Sequence, residues 1–164
     1  MSEVDRKLRV YVAGSSAETE RAVRCMNWLR DHGIVVTSSW PEVIATVGIA
    51  NPRNAPRDDR ATWTQTDLAE VQTADVLWLL APNTPTRGAW IEYGFALAVG
   101  RMVVASGDTK QTIFTAIGDE YGTDAEALEA LLVVRDQVES RSKLGEFDSS
   151  DCLTPVETPQ GKAG

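Results

Sequence analysis

The amino-acid sequence predicts an α/β three-layer sandwich, on three observations. Short, almost continuously apolar runs recur at residues 8–13 (LRVYVA), 34–37 (IVVT), 75–80 (DVLWLL) and 101–105 (RMVVA). Helical patterns separate them, and the connections are mostly short. Strands without polar alternation belong to parallel sheets, which crossover helices cover on both faces. The expected architecture is flavodoxin-like or Rossmann-like, with four or five parallel strands. Its ligand cleft is expected at the carboxyl ends of the first and third strands.

Each element has its own signal. Gly14 closes the first strand. Ser15 to Glu18 then reads as a capping box, opening a helix that carries Val23, Met26, Trp28 and Leu29 and stops at Gly33. Residues 34–37 form the second strand. Residues 38–57 show no period and carry Pro41, Gly48, Asn51, Pro52 and Pro56, so an irregular loop is expected there. Residues 58–73 look helical, with Leu68 and Val71 inward. The third strand leads through a turn (NTPTR) into a helix rich in small residues, with Glu92 expected in its first turn. Residues 101–105 give the fourth strand, and 112–117 fit either a strand or a short helix. Residues 124–140 form an amphipathic helix with Leu128, Leu131, Leu132 and Val138. The expected division is one domain over residues 1–144 and a disordered polar tail over 145–164.

Composition narrows the function. A chain of 164 residues fits one domain with a real core. The net charge of −8 speaks against a nucleic-acid polymer as partner, because a phosphate backbone calls for a basic face. A small anionic ligand is compatible with it, since a pocket can differ from the global charge. Cys25 and Cys152 suggest no disulfide framework. The start MSEVDRK shows no leader, and no apolar run is long enough to span a membrane. The protein is expected to be cytoplasmic.

Three segments are expected to meet at the cleft. Gly14-Ser15-Ser16 follows the first strand and opens a helix, with Arg21 further in. Helix starts favour anions, although a capped helix with nothing bound fits as well. The second segment runs from Thr84 to Glu92, where Gly88, Ala89 and Gly94 allow close approach. Glu92 there fits either a ligand contact or a counter-charge to the helix dipole. Asp67 is the third. Paired carboxylates are the standard equipment for breaking a glycosidic bond, although exposed helix acids are more often only solvated. Trp40 and Trp63 flank the irregular segment and are placed to stack on a base. Trp28 and Trp78 read as core, and Trp90 fits either role. His32, the only histidine, reads as a partner of a helix end. The sequence holds no histidine-based triad, metal-ligand cluster, P-loop or dinucleotide fingerprint, and no metal or cofactor is expected.

The runs VYVAGSS, TDLAEVQTADVLWLL and TRGAWIEYGFALAVGRMVV resemble the nucleoside 2-deoxyribosyltransferase superfamily, which includes the 2′-deoxynucleoside 5′-phosphate N-hydrolases. The resemblance covers roughly residues 8–132 without the irregular segment. It implies that Glu92 is a nucleophile forming a glycosyl ester and that Asp67 is the acid/base assisting the leaving base. It implies that Gly14, Ser15 and Ser16 lie under the sugar and its 5′ substituent, with Tyr11 beside them. Thr86 matches a position that is Asp in the nucleoside transferases and a hydroxyl residue in the phosphate-cleaving hydrolases. Thr115 resembles a hydroxyl residue that reaches the phosphate of the neighbouring subunit. The implied substrate is a small nucleotide or nucleoside, with water or a second base as acceptor and no cofactor. The implied assembly is a homodimer or higher homo-oligomer with shared active sites. Two other readings stay open: an NAD glycohydrolase of the TIR type, which also uses a helix glutamate, and a non-catalytic nucleotide-binding module.

Overall fold

The computed structural model describes residues 6–48 and 52–144. Cys152 and the expected tail lie outside them. Five parallel strands form one sheet: β1 (Arg9–Ala13), β2 (Val35–Val36), β3 (Val76–Leu80), β4 (Met102–Ser106) and β5 (Asp119–Tyr121), in the order β2-β1-β3-β4-β5. Five helices accompany them: α1 (Thr19–Asp31), α2 (Trp40–Val47), α3 (Arg57–Thr73), α4 (Gly88–Ala98) and α5 (Asp124–Lys143). Helices α3 and α4 pack together over β1 and β3, while α1 and α5 meet over β1 and β4, which gives the three layers. This is the expected flavodoxin-like architecture.

Burial explains why the central strands were readable. All five residues of β3 are buried, and Trp78, Leu77 and Leu79 are fully enclosed. Burying each such side chain contributes about 1.5–3 kcal/mol. At the amino end of β3, buried Asp75 accepts the Arg9 backbone N–H at 2.9 Å and the guanidinium groups of Arg6 (3.0 Å) and Arg9 (3.2 Å). It anchors the edge of the sheet opposite the cleft.

Several local expectations are corrected. Residues 38–57 are not an irregular loop. They hold α2, with Pro41 near its start and Gly48 ending it in the left-handed region at φ 60°, and a 3-10 turn at Pro52–Asn54. Residues 113–117 form a short 3-10 helix, one of the two alternatives left open there, and β5, which was not expected, follows it. Ser15 caps a 3-10 turn by accepting from the Ala17 N–H at 3.2 Å, but Glu18 does not complete a capping box. Glu18 instead accepts from the Asn83 backbone N–H and side-chain amide, both at 2.9 Å. The complete box lies at Thr123 and Glu126, opening α5. Among the described residues no helix is long and apolar enough to cross a membrane.

Candidate active site

The strand order reverses between β1 and β3, so their carboxyl ends leave a crevice that helices cannot cover. Three elements wall it. Beyond β1, Gly14 runs beneath Trp40, whose indole N–H donates to Val12 O at 2.8 Å and fixes the ring. The Val12 N–H in turn donates to Ser38 Oγ at 3.1 Å. Helix α3 presents Trp63, Thr66 and Asp67, whose spacing of three and four residues puts them on one face. Glu70, one turn further on, accepts from the backbone N–H of Ser39 at 3.0 Å and from its hydroxyl, which locks α3 to the start of α2. Helix α4 contributes Gly88, Ala89 and Glu92.

The result is a cleft of about 220 Å³. Gly14, Ser16, Trp40, Trp63, Asp67, Thr86, Gly88 and Glu92 all line it. Glu92 is the fifth residue of α4, a full turn in, and no acid stands in the first turn. The expectation of a first-turn acid is therefore corrected, and with it the reading of Glu92 as a counter-charge to the helix end. Sequence reasoning missed Val43, Ile44 and Pro52, which complete the apolar wall. A short helix over Val43 and Ile44 had one local signal, Pro41 at its start and Gly48 seven residues later.

Four expected residues do not line the cleft. Arg21 is occupied elsewhere: it donates to both carboxylate oxygens of Asp124 (2.8 and 2.7 Å) and to Ala81 O at 2.9 Å. Its role is to join α1 to α5 and the sheet, which corrects the expected anion contact. Thr115 is buried, and its hydroxyl donates within its own turn, to Thr109 O at 2.9 Å and Thr112 O at 3.1 Å. The structure does not bring it to the site. Tyr11 lies fully buried beneath it. Its hydroxyl faces the Glu92 carboxylate closely enough to feel its charge, yet outside full hydrogen-bonding geometry. Ser15 is also buried, its hydroxyl 2.8 Å from that of Thr84.

Burial dominates the electrostatics. It pushes the Glu92 carboxyl up to about 8, helped by the negative charge of Asp67. Burial also pushes Asp67 up to about 7, with Glu70 adding to it. Burial and then Glu92 raise the Tyr11 phenol. Two acids whose charges oppose each other in one cleft hold protons at neutral pH that ordinary carboxyls have lost. A second compartment, of about 460 Å³, adjoins the cleft and shares Ser16, Pro52, Thr86 and Gly88 with it. Among the described residues no cluster of His, Cys, Asp and Glu is arranged to hold a metal ion.

Fold and site together define a parallel α/β sandwich with a proton-holding carboxylate pair at its switch point. No family model matches the chain, and no curated protein matches it in sequence. Solved structures do share its fold. The structure of Clostridium botulinum CMP N-glycosidase, BcmB, matches with a TM-score of 0.50 and 17% identity over 77% of this chain and 98% of that one. The solution structure of BlsM matches with a TM-score of 0.57 and 17% identity over 94% of this chain and 99% of that one. At this identity the likeness is one of fold.

Proposed function

We propose that this protein cleaves the N-glycosidic bond of a nucleoside or nucleoside 5′-monophosphate with retention, through a glycosyl ester on Glu92, and that it works as a homodimer or higher homo-oligomer. One observation carries the reading: Asp67 and Glu92, from two different helices, line a single sugar-sized cleft that has an aromatic wall. The fold shared with a CMP N-glycosidase supports it.

In the reactive form Glu92 is ionised and Asp67 holds the proton; with Glu92 the weaker acid of the two, this is the minor arrangement of the singly protonated pair, and substrate binding has to draw it out. A Glu92 oxygen attacks the anomeric carbon as the bond from that carbon to the base nitrogen breaks. Asp67 delivers its proton to the departing base. Positive charge develops on the sugar in the transition state, next to the Glu92 carboxylate, where little water screens it. In the second half water gives a proton to Asp67 and its oxygen attacks the same carbon, which releases Glu92. A second base in place of water makes the reaction a transfer. Trp40 and Trp63 form the wall against which the base stacks.

The test is incubation with a panel of nucleosides, nucleoside 5′-monophosphates and NAD, with chromatography for free base. Base release from a nucleoside or nucleotide is expected, and Glu92→Gln should lower kcat/KM by about a thousandfold or more. Mass spectrometry of the quenched enzyme should find a pentosyl group on the peptide carrying Glu92. Undiminished turnover by Glu92→Gln removes it from this role, and nicotinamide as the only base released points to the NAD-cleaving alternative.

A further inference from the structure

The turn that joins β3 to α4 has no ladder of its own. Among the described residues, no backbone-to-backbone hydrogen bond ties residues 82–86 to the rest of the fold. Side chains hold the turn instead. Gln111 donates to Pro82 O at 2.8 Å, and the Ser15 and Thr84 hydroxyls stand 2.8 Å apart. Glu18 does the most. Its Oε2 accepts from the Asn83 backbone N–H at 2.9 Å and from the Thr84 hydroxyl at 3.3 Å, and its Oε1 accepts from the Asn83 side-chain amide at 2.9 Å.

Glu18 ends the 3-10 turn Ser16–Glu18, which follows β1, so it reaches the turn after β3 from across the switch point. Its side chain is only 16% exposed, and water competes weakly for the carboxylate. Burial raises the carboxyl, but the Asn83 amide, the Asn83 backbone N–H and Arg21 outweigh it and hold Glu18 below its ordinary value. It is charged at neutral pH, and hydrogen bonds to a charged acceptor are the stronger kind. Arg21 braces the carboxylate at 3.5 Å while donating to Ala81 O at 2.9 Å, at the start of the same turn. Glu18 itself lines neither the cleft nor the compartment beside it. What it holds does: Thr86 follows Thr84 closely in the chain, and both Thr86 and Gly88 line the cleft.

We propose that Glu18 is a positioning residue, a latch that fixes the turn at 81–87 and so sets where Thr86 and Gly88 meet the substrate. This rests on the reaction proposed above. The latch acts on binding and not on the chemical step. Helix α4 is seated through its own buried residues, Ala89, Tyr93 and Ala96, so Glu92 keeps its place without Glu18. Loss of the latch loosens the rim and leaves the nucleophile standing.

Two readouts test it, and one needs no substrate. Arg87 is exposed at the end of the turn, so trypsin cuts after it when the turn opens. Mass spectrometry of the fragments should show this cut about tenfold faster in Glu18→Ala, with the cut after exposed Arg60 on α3 unchanged. With the nucleoside or monophosphate that the parent cleaves fastest, KM should rise about tenfold while kcat stays within about threefold. A general loss of folded protein would instead lower kcat and leave KM alone. Glu18→Gln should move both readouts in the same direction, because its amide NH2 meets that of Asn83. Glu18→Gln combined with Asn83→Asp exchanges donor and acceptor across the pair at constant net charge, and it should restore the parent's tryptic rate and KM. An unchanged cut after Arg87 in Glu18→Ala, an unchanged KM, or an exchange that restores neither readout overturns the latch. A parent that releases no base loses the reaction, and the tryptic rates then decide the latch alone.

Discussion

The titrations of Glu92 and Asp67 are linked, because the charge of Asp67 is felt at Glu92 in the cleft. With folded values of about 8 and about 7, the pair carries two protons in acid, none in base, and one between. Only the singly protonated pair offers a nucleophile and an acid together. The expected profile of kcat/KM against pH is therefore a bell with its maximum between about 7 and about 8, and a profile flat from about pH 6 to 9 would contradict it. The same shifts act on stability. Both pKa values are higher folded than unfolded, so the folded chain holds protons that the unfolded chain releases above about pH 4. Stability from this source is complete below that pH and is lost as pH climbs through about 8. Glu92→Gln escapes the loss. Allowing for water in the cleft, it should exceed the parent by about 2 kcal/mol near pH 8.5, a rise in Tm of about 5 °C, with the gap closing near pH 4.5. Thermal melts at the two pH values check both the sign and the convergence.

Secondary-structure elements show what a linear pattern can and cannot reveal. Strands β1, β3 and β4 were readable because interior parallel strands must be apolar throughout. Strand β5 reads Asp-Glu-Tyr, an edge of three residues with little burial, and carries no such signature. Helix α2 escaped notice because eight residues beginning Trp-Pro offer barely two turns of period. The Ser/Thr-x-x-Glu patterns at Ser15 and Thr123 are alike in sequence, yet only the one at Thr123 closes, since Asn83 captures Glu18 from a distant turn. The acids of the cleft were visible as carboxylates flanking β3, whereas Arg21 misled because its partner Asp124 lies 103 positions away. In the fold Arg21 clamps α1 to α5 and to Ala81 O. Its hydrogen bonds, that of the Ser106 hydroxyl and its charge hold the Asp124 carboxyl below its usual range despite burial. Arg21→Met strands that carboxylate, and a loss of about 2–3 kcal/mol is expected by urea unfolding. Gly118 is a second fixed point: a Cβ there would lie 2.5 Å from Val103 Cγ2 and 2.6 Å from Val103 O. Gly118→Ala should cost about 1–3 kcal/mol, and an unaltered melt would show that the turn yields freely.

At the scale of the molecule, an apolar face is left uncovered among the described residues. Within the turn Ile113–Ile117, Ile113, Phe114 and Ile117 are 83%, 64% and 74% exposed. Three large side chains in five residues lose about 25 cal/mol for every Å² kept in water, and a second copy is the simplest way to dry them. The turn also bears on the site. Its Phe114 carbonyl accepts from the Tyr93 hydroxyl at 3.5 Å, and Tyr93 is the neighbour of Glu92 on α4. Pressing a partner onto the turn would therefore stiffen the helix that carries the proposed nucleophile, linking assembly to activity without any residue crossing between sites. Light scattering at micromolar concentration should give a multiple of the 17.9 kDa chain mass. Phe114→Glu with Ile117→Glu should return the single-chain mass with unaltered circular dichroism and a lower kcat. A parent protein that is already monomeric defeats the assembly proposal. A monomeric variant with full kcat keeps the assembly but breaks its link to Glu92, because the turn then dries a surface without bracing α4.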